Sequence, residues 1–531
     1  MRFMLRVGVA ACWLLPVMAQ PAEPREANEH EIAAQMMTDR AAARFLDQAS
    51  WGPTAGAIAD LEQNGIRRWL RSQFLINTSD LPDQPLLDSN GNTNTNMAPV
   101  QAAFFANAVN GKDQLRQRVA FALSEIWVVS EVTTKPAYAF PPYWRLFRDN
   151  AFGNYRDIMK AITLSPAMGN YLNMANNNKG NPTTGTAANE NYSREMMQLF
   201  TLGLTQLNMD GSAVTDSSGN PLPTYTQAIV TDMGRALTGW TYPTAPGATA
   251  KNNNPQYYFG SMIPVAAEHD TTSKTIIGGT VLPAGHTAQQ DLESVLDALM
   301  AQPTMAPFVS KQLIQHLVTS NPSAAYVERV AKVFANNGFG VAGDMEAVIT
   351  AILMDPEARA GDEASAAPNP AFGHLREPVL FLANLLRGLN ATVTTGNTIN
   401  NYANNLGQNL FEPASVFSYF SPQFRLSTGQ PAPEFQIYST QTAATRANAV
   451  NTALYGKLDS TTTLNLAPFQ QYGNNVSGLL DYISYVFLHH SMSAGLEQAA
   501  AAAANAQTTA AARVQAALYV VLTSSEYQVV Q

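Results

Sequence analysis

The chain has 531 residues, of which 46% are hydrophobic and only 13% are charged, and its formal net charge is −9. This composition provides ample material for a core and excludes wholesale disorder. No block rich in lysine and arginine occurs, which excludes the basic surface that nucleic-acid binding requires and makes a polyanionic partner unexpected.

The N-terminus predicts a Sec signal peptide over residues 1–19. Arg2 and Arg6 precede an apolar run that ends in small residues suited to signal-peptidase cleavage. This run is shorter than the ~20 residues that a membrane span needs. Lipoprotein processing at Cys12, the only cysteine, is an alternative that the continuing apolar run disfavours. We therefore expect a periplasmic or secreted protein with a flexible leader over residues 20–34 and no transmembrane segment.

Beyond the leader, helical periodicity alternates with loops rich in Asn, Gly and Pro, and few segments have the period of a strand. Thr38 or Asp39 is expected to begin the first helix, and Gly65 to divide the second. The Ala-rich tract 493–523 predicts helices at the C-terminus. This pattern predicts a mainly α fold, with one large multi-helix domain over residues 35–531.

Two segments interrupt the helical pattern. Residues 205–226 carry Asp-Gly and Gly-Asn turn signals and are predicted to form a small β-hairpin or irregular insert. Residues 241–285 form a long, polar stretch with short strand-like pieces, which predicts a long loop.

The segment NENYSREMMQLFTLG places its polar residues on one helical face at 100° per residue. These residues are Glu190, Asn191, Arg194, Glu195 and Gln198. One interpretation is the solvated face of an amphipathic helix, with an i,i+4 pair between Glu190 and Arg194. The other is a catalytic face, on which Glu195 is a general acid or base, Arg194 holds an anionic group and Glu190 assists. Asn191 and Gln198 would then bind substrate.

The segment EHDTTSKTIIGG contains a second group of candidates. Adjacent His269 and Asp270 could ligate a divalent metal that activates water, although a metal site needs three or four ligands. The alternatives are a structural role in the loop and catalysis without a metal. Lys274 is a candidate binding residue, together with Arg235 and Trp240 from the preceding helical segment. No G-x-S-x-G, HExxH or P-loop spacing occurs.

Several phrases in order resemble the bacterial family known as domain of unknown function 1800, from about residue 35 to the C-terminus. They include LRQRVAFALSEIWVVS, NENYSREMMQLFTLGL, YTQAIVTDMGRALTGW, FVSKQLIQHLVTSNPS, REPVLFLANLLRGL and NLFEPASVFSYFSP. The resemblance implies an exported, single-domain protein and a sulfatase-like partner protein. It supplies no reaction.

Three functional expectations remain open. The first is a hydrolase that acts by acid–base chemistry on an envelope or extracellular glycan or ester, with Glu195, Arg194, Glu190, His269 and Asp270 as its catalytic residues. The second is a non-catalytic envelope protein that binds or assembles with the sulfatase-like partner. The third is a metal-dependent hydrolase, and apart from that metal no cofactor is expected.

Overall fold

The structure, a computed structural model, describes residues 37–530 except 364–368 and 370. The expected signal peptide and most of the expected leader lie outside the described residues. Within them the chain is mainly α, as the sequence predicted. No described helix is long and apolar enough to cross a membrane.

Fourteen α-helices lie within residues 37–363, the first described part of the chain. They are α1 (Asp39–Ala49), α2 (Ala55–Leu75), α3 (Ala98–Asn110), α4 (Gln114–Ile126), α5 (Phe140–Asn150), α6 (Tyr155–Thr163), α7 (Pro166–Tyr171), α8 (Asn191–Glu195), α9 (Gln227–Ala236), α10 (Ala288–Met300), α11 (Met305–Leu317), α12 (Ala324–Ala335), α13 (Met345–Met354) and α14 (Pro356–Arg359).

Eight α-helices follow in the described residues after 370, and the last of them ends close to the C-terminus. They are α15 (Pro378–Gly388), α16 (Ile399–Asn405), α17 (Thr440–Tyr455), α18 (Ala467–Gln470), α19 (Val476–Phe487), α20 (Ala494–Asn505), α21 (Ala510–Leu522) and α22 (Ser525–Gln528). Short 3-10 helices are also present, at Ala137–Ala139, Ala266–Glu268, Ile277–Gly279 and Pro433–Ile437.

The described strands have two residues each and pair only as antiparallel two-stranded sheets. They are β1 (Trp240–Thr241), β2 (Ile263–Pro264), β3 (Lys274–Thr275), β4 (Val281–Leu282), β5 (His374–Leu375), β6 (Thr392–Val393), β7 (Thr462–Thr463) and β8 (Val529–Val530). The pairs are β1 with β2, β3 with β4, β5 with β8 and β6 with β7. The β5–β8 pair matters most for the site, because it positions the start of α15.

Local signals explain where the first helices begin and bend. The Thr38 side chain caps α1 by accepting a hydrogen bond from the Ala41 amide, as the sequence predicted. Gly65 has a φ of 72° inside α2 and kinks the helix there, because glycine adopts the left-handed region at little cost.

The segment predicted as one regular amphipathic helix is shorter and less regular. Helix α8 ends at Glu195 and continues as a π-helix over Met196–Thr201. The wider π-turn changes the angle between successive side chains, so the uniform 100° spacing fails beyond Glu195. The next segment, 205–226, is the predicted irregular hairpin, held by isolated bridges such as Thr205 with Pro223.

The hydrophobic core forms one cluster that includes residues from Ala42 to Tyr527. Helix α4 lies deep inside it, since Ser124 alone among its thirteen residues is not buried. It packs against α11. A helix buried on every side must also bury its charged residues, and α4 buries both Arg118 and Glu125.

Buried charges connect the N-terminal helix with the C-terminal strand. Arg376 Nη2 contacts Asp47 Oδ2, and both side chains are 2% exposed. The same guanidinium donates hydrogen bonds to the carbonyl oxygens of Tyr527 and Val529. Burial alone would raise the pKa of Asp47, but the Arg376 charge and His489 outweigh it and lower the pKa to about 2.

We expect Arg376→Met to lower the free energy of unfolding by about 3–5 kcal/mol, because it leaves Asp47 buried without its guanidinium partner. Urea unfolding at neutral pH measures this loss. The control is Lys332→Met, which removes an exposed pair with Glu328 and should cost less than about 1 kcal/mol. Equal losses in the two variants would contradict the role of the buried pair.

The stabilisation that this pair provides should weaken in acid. The pKa of Asp47 is lower in the folded protein than its ordinary value of 3.8, so the stabilisation is present above that value and lost as the pH falls towards 2. The difference between wild type and Arg376→Met should therefore shrink over that interval.

Candidate functional site

Three glutamates that are far apart in sequence meet inside the core. Glu125 lies in the last turn of α4, Glu377 precedes α15 directly, and Glu434 belongs to the 3-10 helix Pro433–Ile437. Their exposed fractions are 5%, 2% and 4%. His316, in the last turn of α11, lies beside them because α11 packs on α4.

Gln408 joins two of these carboxyl groups. Its Nε2 donates to Glu125 Oε1 at 3.1 Å and also to Glu377 Oε2. Its Oε1 accepts a 2.8 Å hydrogen bond from the Val379 amide in the first turn of α15. Gln408 thereby caps the helix in place of Glu377, which makes no side-chain cap hydrogen bond. The Glu377 carboxyl is left to face the interior.

His316 and Arg118 complete the cluster. His316 Nδ1 lies 3.3 Å from Glu125 Oε2. Arg118 is 1% exposed, and its Nη2 donates to the His316 carbonyl. Arg118 Nε and Arg118 Nη1 have no hydrogen-bond partner among the described residues, and the Glu125 and Glu377 carboxyl groups hydrogen-bond to each other. Buried polar atoms without partners are uncommon in folded proteins, so their concentration here marks the cluster as unusual.

Burial controls the protonation of the cluster. It raises the pKa of Glu125 to about 7 and that of Glu434 to about 8, while the Arg118 charge acts in the opposite direction on both. Burial, and then the Glu125 charge, raise the pKa of Glu377 well above its usual range. Burial lowers the pKa of His316 to about 4. At neutral pH, Glu377 and Glu434 are therefore acids, His316 is neutral and Glu125 titrates.

A recess leads from the surface to this cluster. Its cavity volume is about 40 Å³, which is room for a few water molecules. Both Glu125 and Glu434 line it, and its rim includes Phe417, which is 41% exposed. Other lining residues include Gln312, Gln315 and His316. Two carboxyl groups with raised pKa values thus line one cavity.

An outer groove with a cavity volume of about 570 Å³ adjoins the recess. The two share lining residues, namely Leu199, Gln312, Gln315, Phe417 and Pro422. Residues found only in the groove include Gln198, Phe308, Lys311, Gln423 and Arg425. The groove is therefore the approach to the recess.

An aromatic pocket with a cavity volume of about 30 Å³ lies on the other side of Glu125. Ser418 separates it from the recess, since both cavities include Ser418 in their walls. Ser418 and Phe411 have φ angles of 69° and 67°, in the left-handed region that residues other than glycine rarely adopt. Such strain costs about 1–3 kcal/mol per residue and clusters at functional sites.

Comparison with known families identifies the chain. Residues 44–529 match the family described as "Protein of unknown function (DUF1800)". The chain belongs to this family. No curated protein and no solved structure matches it.

The structure places the sequence-predicted Glu190 and Arg194 away from the recess of this DUF1800 protein. Glu190 Oε2 accepts a 2.9 Å hydrogen bond from Arg194 Nη2, and its Oε1 accepts one of 2.7 Å from Thr231 Oγ1. Glu190 therefore links α8 to α9. Asn191 donates to Asn173 at 3.2 Å. These contacts give the three predicted residues structural partners.

Glu195 and Gln198 lie in two different places. The Glu195 carboxyl is half-buried near Tyr171 and Tyr225, and burial raises its pKa. It does not line the recess or the outer groove. Gln198, on the π-helix, lines the outer groove. Of the face predicted to be catalytic, Gln198 thus reaches the groove, and the role of Glu195 stays a prediction.

The structure brings His269 and Lys274 together around Asp291. His269 Nε2 is 3.2 Å and Lys274 Nζ is 2.8 Å from Asp291 Oδ2, and all three side chains are almost fully buried. His269 Nδ1 also lies 2.9 Å from the Thr238 carbonyl oxygen. His286 Nδ1 contacts the other oxygen of Asp291 at 3.0 Å. This cluster packs the loop against α10.

Asp270 has a separate set of partners. Its Oδ2 accepts a 2.8 Å hydrogen bond from Arg235 Nε, and Thr272 bonds to its other oxygen. Trp240 is buried on β1. Within the described part of the chain, no group of three or more His, Cys, Asp or Glu side chains is arranged to hold a metal ion. Metal binding at His269 and Asp270 stays a prediction without a third ligand.

Sequence reasoning did not single out Arg118, Glu125, His316, Glu377 or Glu434. A signal for the first two was present, because residues seven apart lie on the same face of a helix. In the segment LRQRVAFALSEIW, that face would carry an arginine and a glutamate among apolar neighbours. Charged residues on an apolar face indicate burial, and buried charges are expected to be paired.

The raised pKa of Glu434 predicts a specific effect on stability. Its pKa of about 8 in the folded protein exceeds the ordinary value of 4.5, so the stability that its protonation provides is present below 4.5 and lost as the pH rises through 8. Glu434→Gln keeps the neutral form and should be more stable than wild type at pH 8 by roughly 1–4 kcal/mol.

Urea unfolding at pH 4.5 and at pH 8 tests this expectation, because the two proteins should differ little at the lower value. Glu497→Gln, a change at an exposed helix residue, is the matched control and should have little effect at either pH. A Glu434→Gln protein that is no more stable than wild type at pH 8 would contradict the raised pKa.

Proposed function

We propose that this protein is an exported hydrolase that cleaves an extracellular or envelope glycan or ester by acid–base chemistry in the recess. The observation that carries the proposal is the meeting of Glu125 and Glu434 in one recess, with pKa values of about 7 and 8. Two carboxyl groups with separated pKa values are the usual requirement for an acid and a base that act together at neutral pH. The signal-peptide-like N-terminus supports export.

The roles follow from the protonation states. Ionised Glu125 takes a proton from water as the water oxygen bonds to the substrate carbon. Protonated Glu434 gives its proton to the leaving-group oxygen as the carbon–oxygen bond breaks. The two carboxyl groups exchange protonation states in this step, and proton exchange with solvent restores them. Glu377, Gln408 and His316 position Glu125 rather than touch the substrate.

A buried acidic cluster is poorly explained by stability alone. A buried ionised group costs several kcal/mol unless charge partners and hydrogen bonds compensate it. The Arg118 guanidinium faces four carboxyl groups, those of Glu125, Glu377, Glu434 and Asp47, so it cannot pair with each of them. The aromatic pocket and the strained Ser418 next to Glu125 also favour a site that is maintained for chemistry.

We expect Glu125→Gln to lower kcat by about 10²–10⁴-fold without unfolding the protein, because it removes the base and keeps the shape of the side chain. Activity would be sought by reducing-sugar release from extracellular polysaccharides and by cleavage of nitrophenyl esters. The substrate that wild type turns over would then be tested with the variant.

The comparison variant is Glu195→Gln, which makes the same change at the sequence-predicted acid or base. If Glu195→Gln is inactive and Glu125→Gln is active, the site lies on the polar face of α8 and the proposal for the recess is wrong. If wild type binds glycans and cleaves none of the substrates, the binding and assembly alternative with a sulfatase-like partner is favoured.

The pH profile gives an independent test. Activity requires ionised Glu125 and protonated Glu434, so kcat/KM should fall below about 7 and above about 8. Glu434→Gln should remove the alkaline fall and lower the maximum rate, since an amide cannot give up the required proton. An alkaline fall that is unchanged in Glu434→Gln would assign it to another group.

A further inference from the structure

The outer groove contains two cationic side chains without carboxylate partners. The Lys311 side chain, on α11, is half-buried and makes no hydrogen bond or ion pair with any described residue. Arg425 is exposed, and its Nη1 donates only to the Gly429 carbonyl oxygen, at 2.8 Å. Burial, and then the Arg425 charge, lower the pKa of Lys311. The two cations are therefore close enough to repel each other.

The rest of the groove does not compensate these charges. Among the described residues that line it, none is Asp or Glu. A cation that is half-buried without a partner loses part of its hydration and gains nothing from the fold. Other basic side chains, such as Arg145 and Arg156, each contact two acidic residues. The arrangement at Lys311 and Arg425 therefore suits an anion supplied from outside the chain.

The neutral residues of the groove suit a sugar chain. Gln198, Gln312 and Gln423 provide amides that can donate to and accept from hydroxyl groups. Phe308 and Phe417 provide apolar ring surfaces in the same groove. Its cavity volume of about 570 Å³ lies within the ~300–1,000 Å³ of common small-molecule pockets. This space accommodates a short sugar chain.

Helix α11 relates the cation pair to the recess. Lys311 and Gln315 are one turn apart on α11, and Gln312 and His316 form a second such pair. His316 follows Lys311 by five positions, which corresponds to a rise of about 7.5 Å along the helix. An anionic group held at Lys311 would thus belong to a part of the substrate some distance along the chain from the bond that is cleaved beside Glu125.

We infer that Lys311 and Arg425 bind one anionic substituent of the substrate, which is an acidic oligosaccharide whose cleaved bond lies in the recess. This inference rests on the proposed function and names its substrate class. A carboxylate and a sulfate ester offer the same oxyanion chemistry to the two cations. The overall negative charge of the protein makes a long polyanion unexpected, but a single substituent needs only this local pair.

Isothermal titration of the Glu125→Gln protein measures binding without turnover. The probes are trigalacturonic acid for the carboxylate, a sulfated κ-carrageenan tetrasaccharide for the sulfate, and maltotriose as a neutral sugar. We expect at least one acidic probe to bind at least about tenfold more tightly than maltotriose. Adding Lys311→Ala and Arg425→Ala should remove that preference and leave maltotriose binding unchanged.

The matched control adds Lys179→Ala and Lys251→Ala instead. Both lysines are exposed and lie outside the groove, so this variant changes the net charge equally and should keep the preference. Equal binding of all three probes overturns the inference. So does an anion preference that survives the loss of Lys311 and Arg425, or one that the control also loses.

The two proposals can fail separately. If the groove binds an acidic probe through Lys311 and Arg425 but wild type hydrolyses nothing, the groove binds anionic sugars and the proposed hydrolase is wrong. If Glu125→Gln loses hydrolysis of a substrate without any anion preference, the hydrolase stands and the inference about the groove is wrong.

Discussion

Burial of charged groups is the constraint on which the rest of this structure depends. A charged group that leaves water must meet an opposite charge or hydrogen bonds, or give up its charge. Asp47 meets Arg376, which in turn holds the backbone of the C-terminal strand. The first and last described helices are thereby held against the same buried guanidinium. The position of α15 depends on this arrangement, because Arg376 immediately precedes Glu377.

The carboxyl cluster satisfies the same constraint in the other way. Glu377 and Glu434 lose their charge, since burial raises their pKa values above neutrality. Glu125 remains near its midpoint because Arg118 opposes part of the burial effect. The proton distribution that would serve catalysis is therefore a direct result of where the fold places these side chains. Burial of these carboxyl groups costs free energy, and the recess next to them would bring a substrate within their reach.

The sequence predicted the fold class and the family well, because both depend on features that persist over many residues. Helical periodicity identified the mainly α architecture, and Gly65 bends α2 as its residue type suggests. The site was harder to find, since Glu125, Glu377 and Glu434 come from segments more than fifty residues apart and meet only through tertiary packing. The segment with Glu190 and Arg194 drew attention because local spacing is visible in a sequence, and its regularity ends at the π-helix.

The distribution of charge also shows why the net charge of a protein is a weak guide to what it binds. A net charge of −9 repels anions only within the range of its electric field. At physiological ionic strength, salt screens this field beyond about 8 Å. Within that distance a ligand in the outer groove meets Lys311 and Arg425 without any lining carboxylate. A surface that repels long polyanions on average can thus bind one anionic group at one place. The proposed anion site would therefore favour a lightly charged chain over a heavily charged one.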